Sequence, residues 1–125
     1  MTVVGVGVDA VDVPRFAKVL ARRPGIAVRL FSDAERAYAA RFPDPAPRLA
    51  VRFAAKEATM KALGVGLGAF SFQDVEVERA ESGAPTLLLR ASAASLAERR
   101  GVASWHLSLS HTATVAIAFA VAESG

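Results

Sequence analysis

The sequence predicts an α+β domain in which a long central helix packs on a mostly antiparallel sheet. The first half is rich in helix formers, above all an Ala-rich run from Arg52 to Leu63. The second half alternates apolar and polar residues in short segments between turn signals, the pattern of strands. An apolar strand at residues 2–9 precedes both halves.

Length and composition exclude several classes of protein. At 125 residues we expect one domain, 1–125, and the absence of cysteine excludes disulfides and thiolate chemistry. The amino terminus lacks the basic region of a signal peptide, and no apolar run is long enough to span a bilayer. These features predict a cytoplasmic protein without a membrane partner. The pI near 10 favours an anionic partner, but no motif or interleaved aromatic residues indicate nucleic acid.

The first elements bring the first charged candidates. In the opening strand Asp9 shares a face with Gly5 and Gly7, which predicts that a ligand approaches the backbone there. Asp12 is expected to cap a helix over residues 14–23. The outward stripe of that helix is basic and consists of Arg15, Lys18 and Arg22.

Further signals place the remaining elements. Pro24-Gly25 is expected to end the first helical segment, and Ser32 to Glu35 is a capping-box pattern that opens a short helix. Pro47 suits the start of the central helix, and Gly64 suits its end. The later segments are predicted as strands at 74–79 and 86–90, a helix at 92–100, and strands at 104–110 and 115–122.

Three charged residues are candidates for chemistry. Glu57 and Lys61 lie four apart on the central helix, a spacing that also fits an ordinary helix salt bridge. Asp9 and Glu57 together would suit Mg²⁺, which keeps several waters and takes phosphate oxygens as further ligands. Spacing alone does not separate this pair from two unrelated carboxylates.

A serine hydrolase is the weaker interpretation of the C-terminal serines and histidines. Ser108, Ser110 and His106 share one strand face, but no G-x-S-x-G elbow is present. His111, at the turn that follows, is the better candidate for contact with an anion.

Five segments carry a resemblance to a known family. They are G-V-G-V-D ending at Asp9, R-F-A-A-K-E-A-T-M-K-A-L-G at 52–64, S-F-Q-D-V-E-V at 71–77, G-A-P at 83–85 and H-L-S-L-S-H-T at 106–112. Their order and spacing resemble those of the holo-acyl-carrier-protein synthases, the small bacterial 4′-phosphopantetheinyl transferases. The resemblance spans residue 3 to about residue 122 and implies the 4′-phosphopantetheinyl transferase fold.

The resemblance implies an activity and a metal site. The activity is transfer of 4′-phosphopantetheine from coenzyme A to a serine of apo acyl carrier protein, with release of adenosine 3′,5′-bisphosphate. By the same resemblance Asp9 and Glu57 hold Mg²⁺, and Lys61 faces the pyrophosphate.

The resemblance also implies the rest of the binding site. Arg52 and His111, with Thr112 adjacent, would hold the 3′-phosphate, and the coenzyme would also lie against Lys56, Gly64 and Gly66. The carrier would dock on the first helix at Arg15, and the family's homotrimer would place each site between subunits. A Pro-rich loop replaces the family's basic segment before the central helix, so Arg41 and Arg48 are its candidate substitutes.

Two other functions fit part of this pattern. A non-catalytic module that binds coenzyme A or a carrier protein would share the fold, but should have lost Asp9, Glu57 or Lys61. A Mg²⁺-dependent phosphohydrolase would use the same carboxylates and leave the basic stripe without a role.

Overall fold

A helix of 17 residues, α4 (Ala46–Ala62), lies at the centre of the structure, a computed structural model that describes residues 1–125. Ala50, Ala54, Ala55 and Ala58 of this helix are fully buried, as expected for a helix covered on several sides. The other elements are β1 (Val3–Asp12), α1 (Val13–Arg22), α2 (Gly25–Leu30), α3 (Asp33–Ala39), a 3₁₀ turn (Phe72–Asp74), β2 (Val75–Arg79), β3 (Pro85–Leu89), α5 (Ala91–Arg99), β4 (Ser104–His111) and β5 (Val115–Glu123).

The strands form two antiparallel sheets. One has three strands in the order β1-β5-β4, and the other is the β2-β3 hairpin. In the larger sheet Asp9 pairs with Ala118 and His111 pairs with Ala116, so β5 separates these two polar residues. The predicted α+β class with antiparallel strands is confirmed.

Small residues let α4 lie directly on the larger sheet. A Cβ atom added at Gly5 or Gly7 would lie 1.9 Å from a backbone carbonyl oxygen of α4, that of Ala62 or Ala58. The prediction that a ligand approaches these glycines is therefore wrong, because the central helix occupies that space.

On β1 and β5 the outer face of the same sheet is apolar and uncovered. Six large apolar side chains there are between 38% and 56% exposed: Val4, Val6, Val8, Val115, Ile117 and Phe119. We call these six residues the apolar sheet face. Scattered exposed apolar residues are ordinary, but a contiguous set on one sheet face is typical of an interface.

Most element boundaries agree with the sequence prediction, with two exceptions. The Pro24-Gly25 signal predicts only an end and no helix α2, whereas in the structure Pro24 is the N-cap of a new helix. β1 continues past Asp9 to Asp12, whose carboxylate accepts the Arg15 backbone N–H at 2.9 Å and so caps α1 as predicted. None of the helices has the length and apolar character needed to cross a membrane.

Candidate active site

A pocket of about 960 Å³ beside β1, α1 and α4 contains the predicted acidic residues, and we call it the carboxylate pocket. Asp9 comes to its wall from β1 and Glu57 from α4, with Arg15 of α1 nearby. Phe16, Phe53 and Phe70 are among its apolar lining residues. A large pocket with a few convergent polar groups is the usual form of a small-molecule site.

Lys61 is held beside Asp9. Its Nζ atom donates to the Asp9 carboxylate at 3.2 Å and to the Val8 carbonyl oxygen at 2.9 Å. The Lys61 side chain is 49% exposed, whereas that of Asp9 is 18% exposed. The ammonium group therefore lies at the solvent side of the acidic pair, where it can also reach an incoming anion.

Glu57 is electrostatically strained in the metal-free protein. Burial raises its pKa above the ordinary value, the nearby Asp9 charge raises it further, and Lys61 opposes the shift. The structure contains no group of three or more His, Asp or Glu side chains that could hold a metal. A cation here would have two carboxylate ligands, which suits an ion that retains water and substrate ligands.

A second pocket, of about 280 Å³, brings together four basic side chains, and we call it the anion pocket. Arg48 and Arg52 come to it from α4, Arg79 from β2 and His111 from the end of β4. No carboxylate lines it, so its charge is uncompensated. The structure thus brings Arg52 and His111 together, as the sequence predicted, and adds Arg79, which it did not.

Arg52 is a buried cation without an acidic partner. The residue is 3% exposed, its Nε atom makes no hydrogen bond, and its Nη1 donates only to the Arg48 carbonyl oxygen at 3.3 Å. Burial lowers the pKa of Arg52 and outweighs the opposing effect of the Glu35 carboxylate, while the nearby Arg79 charge also lowers it. A buried charge normally requires a partner, so this guanidinium is available to a bound anion.

The assignment of Lys56 to the coenzyme is wrong. Lys56 is completely buried, and its Nζ donates to Glu35 Oε1 at 2.7 Å, to the Phe72 carbonyl oxygen at 2.9 Å and to the Val75 carbonyl oxygen. An ammonium group has three donors, and all three are used inside the protein. Lys56 therefore joins α4 to α3 and to the start of β2, and contacts no ligand.

Three other predicted coenzyme contacts lie near the pockets but not in their walls. Gly64 and Gly66 are in the loop after α4, where Gly68, at φ +91°, is the glycine that lines the carboxylate pocket. The Thr112 hydroxyl oxygen accepts the backbone N–H groups of Thr114 and Val115 and so shapes the β4–β5 turn. Contacts of Gly64, Gly66 and Thr112 with coenzyme A remain predictions.

The basic stripe of α1 adjoins the acidic pair. Arg15, Lys18 and Arg22 are all exposed, and none of them forms a salt bridge. Arg15 also lines the carboxylate pocket. An acidic partner bound along this helix would therefore reach the edge of the pocket.

The two pockets have no lining residue in common. Glu57 and Arg52 are five positions apart on α4, about 140° around the helix axis, so their side chains point in different directions. A single copy of the chain therefore presents the acidic and the basic halves of the predicted site separately.

Comparisons with known proteins define the family. The chain belongs to the 4′-phosphopantetheinyl transferase superfamily, whose family model matches residues 5–120. This confirms the family that the five motifs predicted.

Individual relatives are holo-(acyl-carrier-protein) synthases. The protein of that name from Frankia alni is 56% identical over 124 residues, which are 99% of this chain and 100% of the relative. The crystal structure of the synthase from Neisseria meningitidis has a TM-score of 0.89 at 31% identity, covering 97% of this chain and 98% of that one. The synthase from Bacillus anthracis, solved in complex with CoA (3′,5′-ADP), has a TM-score of 0.83 at 33% identity and covers 100% of both chains.

Proposed function

We propose that this protein transfers 4′-phosphopantetheine from coenzyme A to a serine hydroxyl of apo acyl carrier protein and releases adenosine 3′,5′-bisphosphate. The observation that carries the proposal is that Asp9 and Glu57 line one pocket, with Lys61 bonded to Asp9, in a chain that aligns over its length with holo-(acyl-carrier-protein) synthases. A non-catalytic binding module would have no need of these three groups.

Mg²⁺ fits the carboxylate pocket as the metal of this reaction. Asp9 and Glu57 would hold it; burial and the Asp9 charge raise the pKa of Glu57 despite Lys61, and a bound cation would favour its charged form. When bound, the ion would neutralise charge on the pyrophosphate of coenzyme A. Lys61, held by the Val8 carbonyl oxygen as well as by Asp9, would add a second positive charge there.

The serine hydroxyl must lose its proton as it attacks phosphorus, because almost none is ionised at neutral pH. Glu57 can serve this step as a base, or serve only as a metal ligand. Its pKa is raised, which favours proton acceptance, whereas coordination of a metal would lower its basicity.

The anion pocket suits the 3′-phosphate of coenzyme A. Arg52 and His111 would donate to a doubly charged phosphate, with Arg48 as the substitute for the family's basic segment. Arg48 lines this pocket and Arg41 does not, which supports Arg48 as the substitute of the two.

A homotrimer would bring the two pockets together. The apolar sheet face is exposed in a single chain, and burying it against further copies would be favourable by roughly 25 cal/mol per Å² of apolar surface. Because the acidic and basic pockets of one copy are separate, we propose that one coenzyme binds across two copies. Its pyrophosphate would lie at the carboxylate pocket of one copy and its 3′-phosphate at the anion pocket of the next.

The carrier protein would dock on the basic stripe of α1. A carrier surface rich in carboxylates would be electrostatically complementary to Arg15, Lys18 and Arg22. Arg15 also lines the carboxylate pocket, so a carrier bound to this helix would lie at the edge of that pocket.

One assay tests the proposed function. The protein is incubated with coenzyme A, Mg²⁺ and an apo acyl carrier protein, and the carrier is weighed by mass spectrometry. We expect the carrier to gain one phosphopantetheine group, dependent on Mg²⁺. Binding of coenzyme A without any gain in carrier mass would support the non-catalytic module, and phosphate release without transfer would support a phosphohydrolase.

A further inference from the structure

Arg79 is a cationic residue of the anion pocket that neither the motifs nor the family resemblance indicated. It is the last residue of β2 and lines the pocket together with Gly83 and Pro85 from the same hairpin. Its sequence neighbours, Glu78 and Ala80, carry no signal of a binding residue. Its position depends on how the hairpin packs beside α4.

Two contacts fix the direction of the Arg79 side chain. Its Nη1 atom donates to the Gly83 carbonyl oxygen at 2.9 Å, across the hairpin turn. Its Cζ atom lies 5.7 Å from the centroid of the Tyr38 ring, a cation–π contact. A guanidinium has five N–H donors, so most of those of Arg79 remain free.

The Tyr38 ring joins the two arginines of the pocket. Arg52 lies over it with Cζ 4.5 Å from the ring centroid, and Arg79 is 5.7 Å from the same centroid. Neither arginine forms a salt bridge. Glu35 partly compensates Arg52 but does not line the pocket. Two like charges held against one ring repel each other, and a bound dianion would relieve that repulsion.

We propose that Arg79 is a further binding residue for the 3′-phosphate of coenzyme A, and that Tyr38 positions Arg79 and Arg52 for it. This inference rests on the proposed function, because it assigns a ligand to the anion pocket. It gives the pocket a donor from the β2-β3 hairpin in addition to those from α4 and β4.

Arg41 supplies a matched control. Its Cζ atom also lies 5.7 Å from the Tyr38 centroid, but the residue is not part of the pocket wall. Arg79→Ala and Arg41→Ala therefore remove the same type of side chain at the same distance from the ring, and only the first alters the pocket.

The test is the affinity for adenosine 3′,5′-bisphosphate relative to AMP, measured by calorimetry on the folded protein. Wild type should prefer the bisphosphate. Arg79→Ala should weaken bisphosphate binding about tenfold, as for loss of one charge-assisted hydrogen bond, and leave AMP binding unchanged. His111→Ala is the positive control, and Arg41→Ala should behave as wild type.

The role of Tyr38 is tested by the ratio of the affinities for adenosine 3′,5′-bisphosphate and AMP, and by kinetics. Tyr38→Leu should raise KM for coenzyme A with kcat and the KM for 3′-dephospho-coenzyme A unchanged, and Tyr38→Phe, which keeps the ring, should restore wild-type KM. If wild type shows no preference for the bisphosphate, the proposed use of the pocket fails together with this inference. If wild type and the His111→Ala control behave as expected while Arg79→Ala keeps the full preference, only the role of Arg79 is overturned.

Discussion

The ammonium nitrogen of Lys61 lies 3.2 Å from a carboxylate oxygen of Asp9, although the two residues are 52 positions apart in the chain. The contact joins the end of α4 to β1 at Asp9, which lines the carboxylate pocket. A second hydrogen bond, to the Val8 carbonyl oxygen, would keep Lys61 in place if Asp9 turned to a metal. Asp9 and Glu57 thus form an acidic pair, and two hydrogen bonds hold the Lys61 ammonium group beside Asp9.

Removal of either acidic side chain should stop the reaction. Asp9→Ala and Glu57→Ala should each lower kcat/KM by at least about 100-fold, because each removes a charged ligand of Mg²⁺, while circular dichroism stays unchanged. Glu98→Gln is the control, since Glu98 is an exposed acid on α5 that lines neither pocket, and activity should persist. In Glu57→Gln, a residual rate that rises with Mg²⁺ would indicate a ligand, whereas no rate at any Mg²⁺ concentration would indicate the base. Near-normal turnover of Asp9→Ala or Glu57→Ala at saturating Mg²⁺ would contradict the metal assignment.

Ionisation of Glu57 should destabilise the metal-free protein. Because its pKa is raised in the folded state, the folded protein binds more protons than the unfolded chain between the ordinary and the raised pKa. Stability is therefore lost as pH rises through that window. Glu57→Gln should have a higher Tm than wild type at neutral pH without Mg²⁺, and the difference should vanish below the ordinary carboxyl pKa. A Tm difference that is independent of pH would show that the effect does not come from this charge.

The ion pair between Lys56 and Glu35 should contribute to stability and not to coenzyme binding. Lys56→Met leaves Glu35 buried without its cation, so we expect a loss of about 3–5 kcal/mol in the free energy of unfolding, measured with urea. Replacing Glu35 by Gln as well should recover part of that loss. KM for coenzyme A should not change in the folded fraction. A stable Lys56→Met protein with a raised KM for coenzyme A would show instead that Lys56 contacts the coenzyme.

Charge reversal on the basic stripe of α1 should weaken binding of the carrier protein. Arg15→Glu should raise KM for the carrier roughly tenfold at low salt and flatten its salt dependence, because exposed charges act mainly on association and are screened over ~8 Å at physiological ionic strength. KM for coenzyme A should stay nearly constant in Lys18→Glu and Arg22→Glu, because these two side chains do not line the carboxylate pocket. Arg99→Glu, an exposed position at the end of α5, is the control. Unchanged carrier kinetics in Arg15→Glu, Lys18→Glu and Arg22→Glu would place docking elsewhere.

Local sequence signals predicted most of the fold. Hydrophobic periodicity gave the strands and the central helix, and the Ser32–Glu35 capping box is present in the structure. Glu35, however, has a second role that no local pattern shows: its carboxylate accepts the buried Lys56 ammonium and the Val77 backbone N–H. Burial of Lys56 depends on α3 packing against α4, and spacing along one helix cannot reveal it.

The sequence predicts those residues of the candidate site that belong to a motif within one strand or one helix. Asp9, Glu57 and Lys61 belong to motifs of the family, and the structure brings them together. Arg79 lies on a hairpin whose position beside α4 is a tertiary property, so the sequence did not single it out. The ligand prediction for Gly5 and Gly7 fails for the same reason, since a pattern of small residues does not say whether a ligand or a helix approaches.

Complementation between two inactive variants tests whether the active site is shared between two copies of the chain. One variant is Glu57→Ala, which damages the carboxylate pocket. The other combines Arg52→Ala with His111→Ala, which damages the anion pocket. Each carries its own affinity tag, and the two are coexpressed and purified through both tags, so that every assembly contains both variants.

We predict that the doubly tagged assemblies transfer phosphopantetheine at low coenzyme A concentration, where each variant alone is almost inactive. An intact carboxylate pocket from one copy would then meet an intact anion pocket from the next. Doubly tagged assemblies with no more activity than their parents, or the failure of the two tags to copurify, would contradict a site shared between copies.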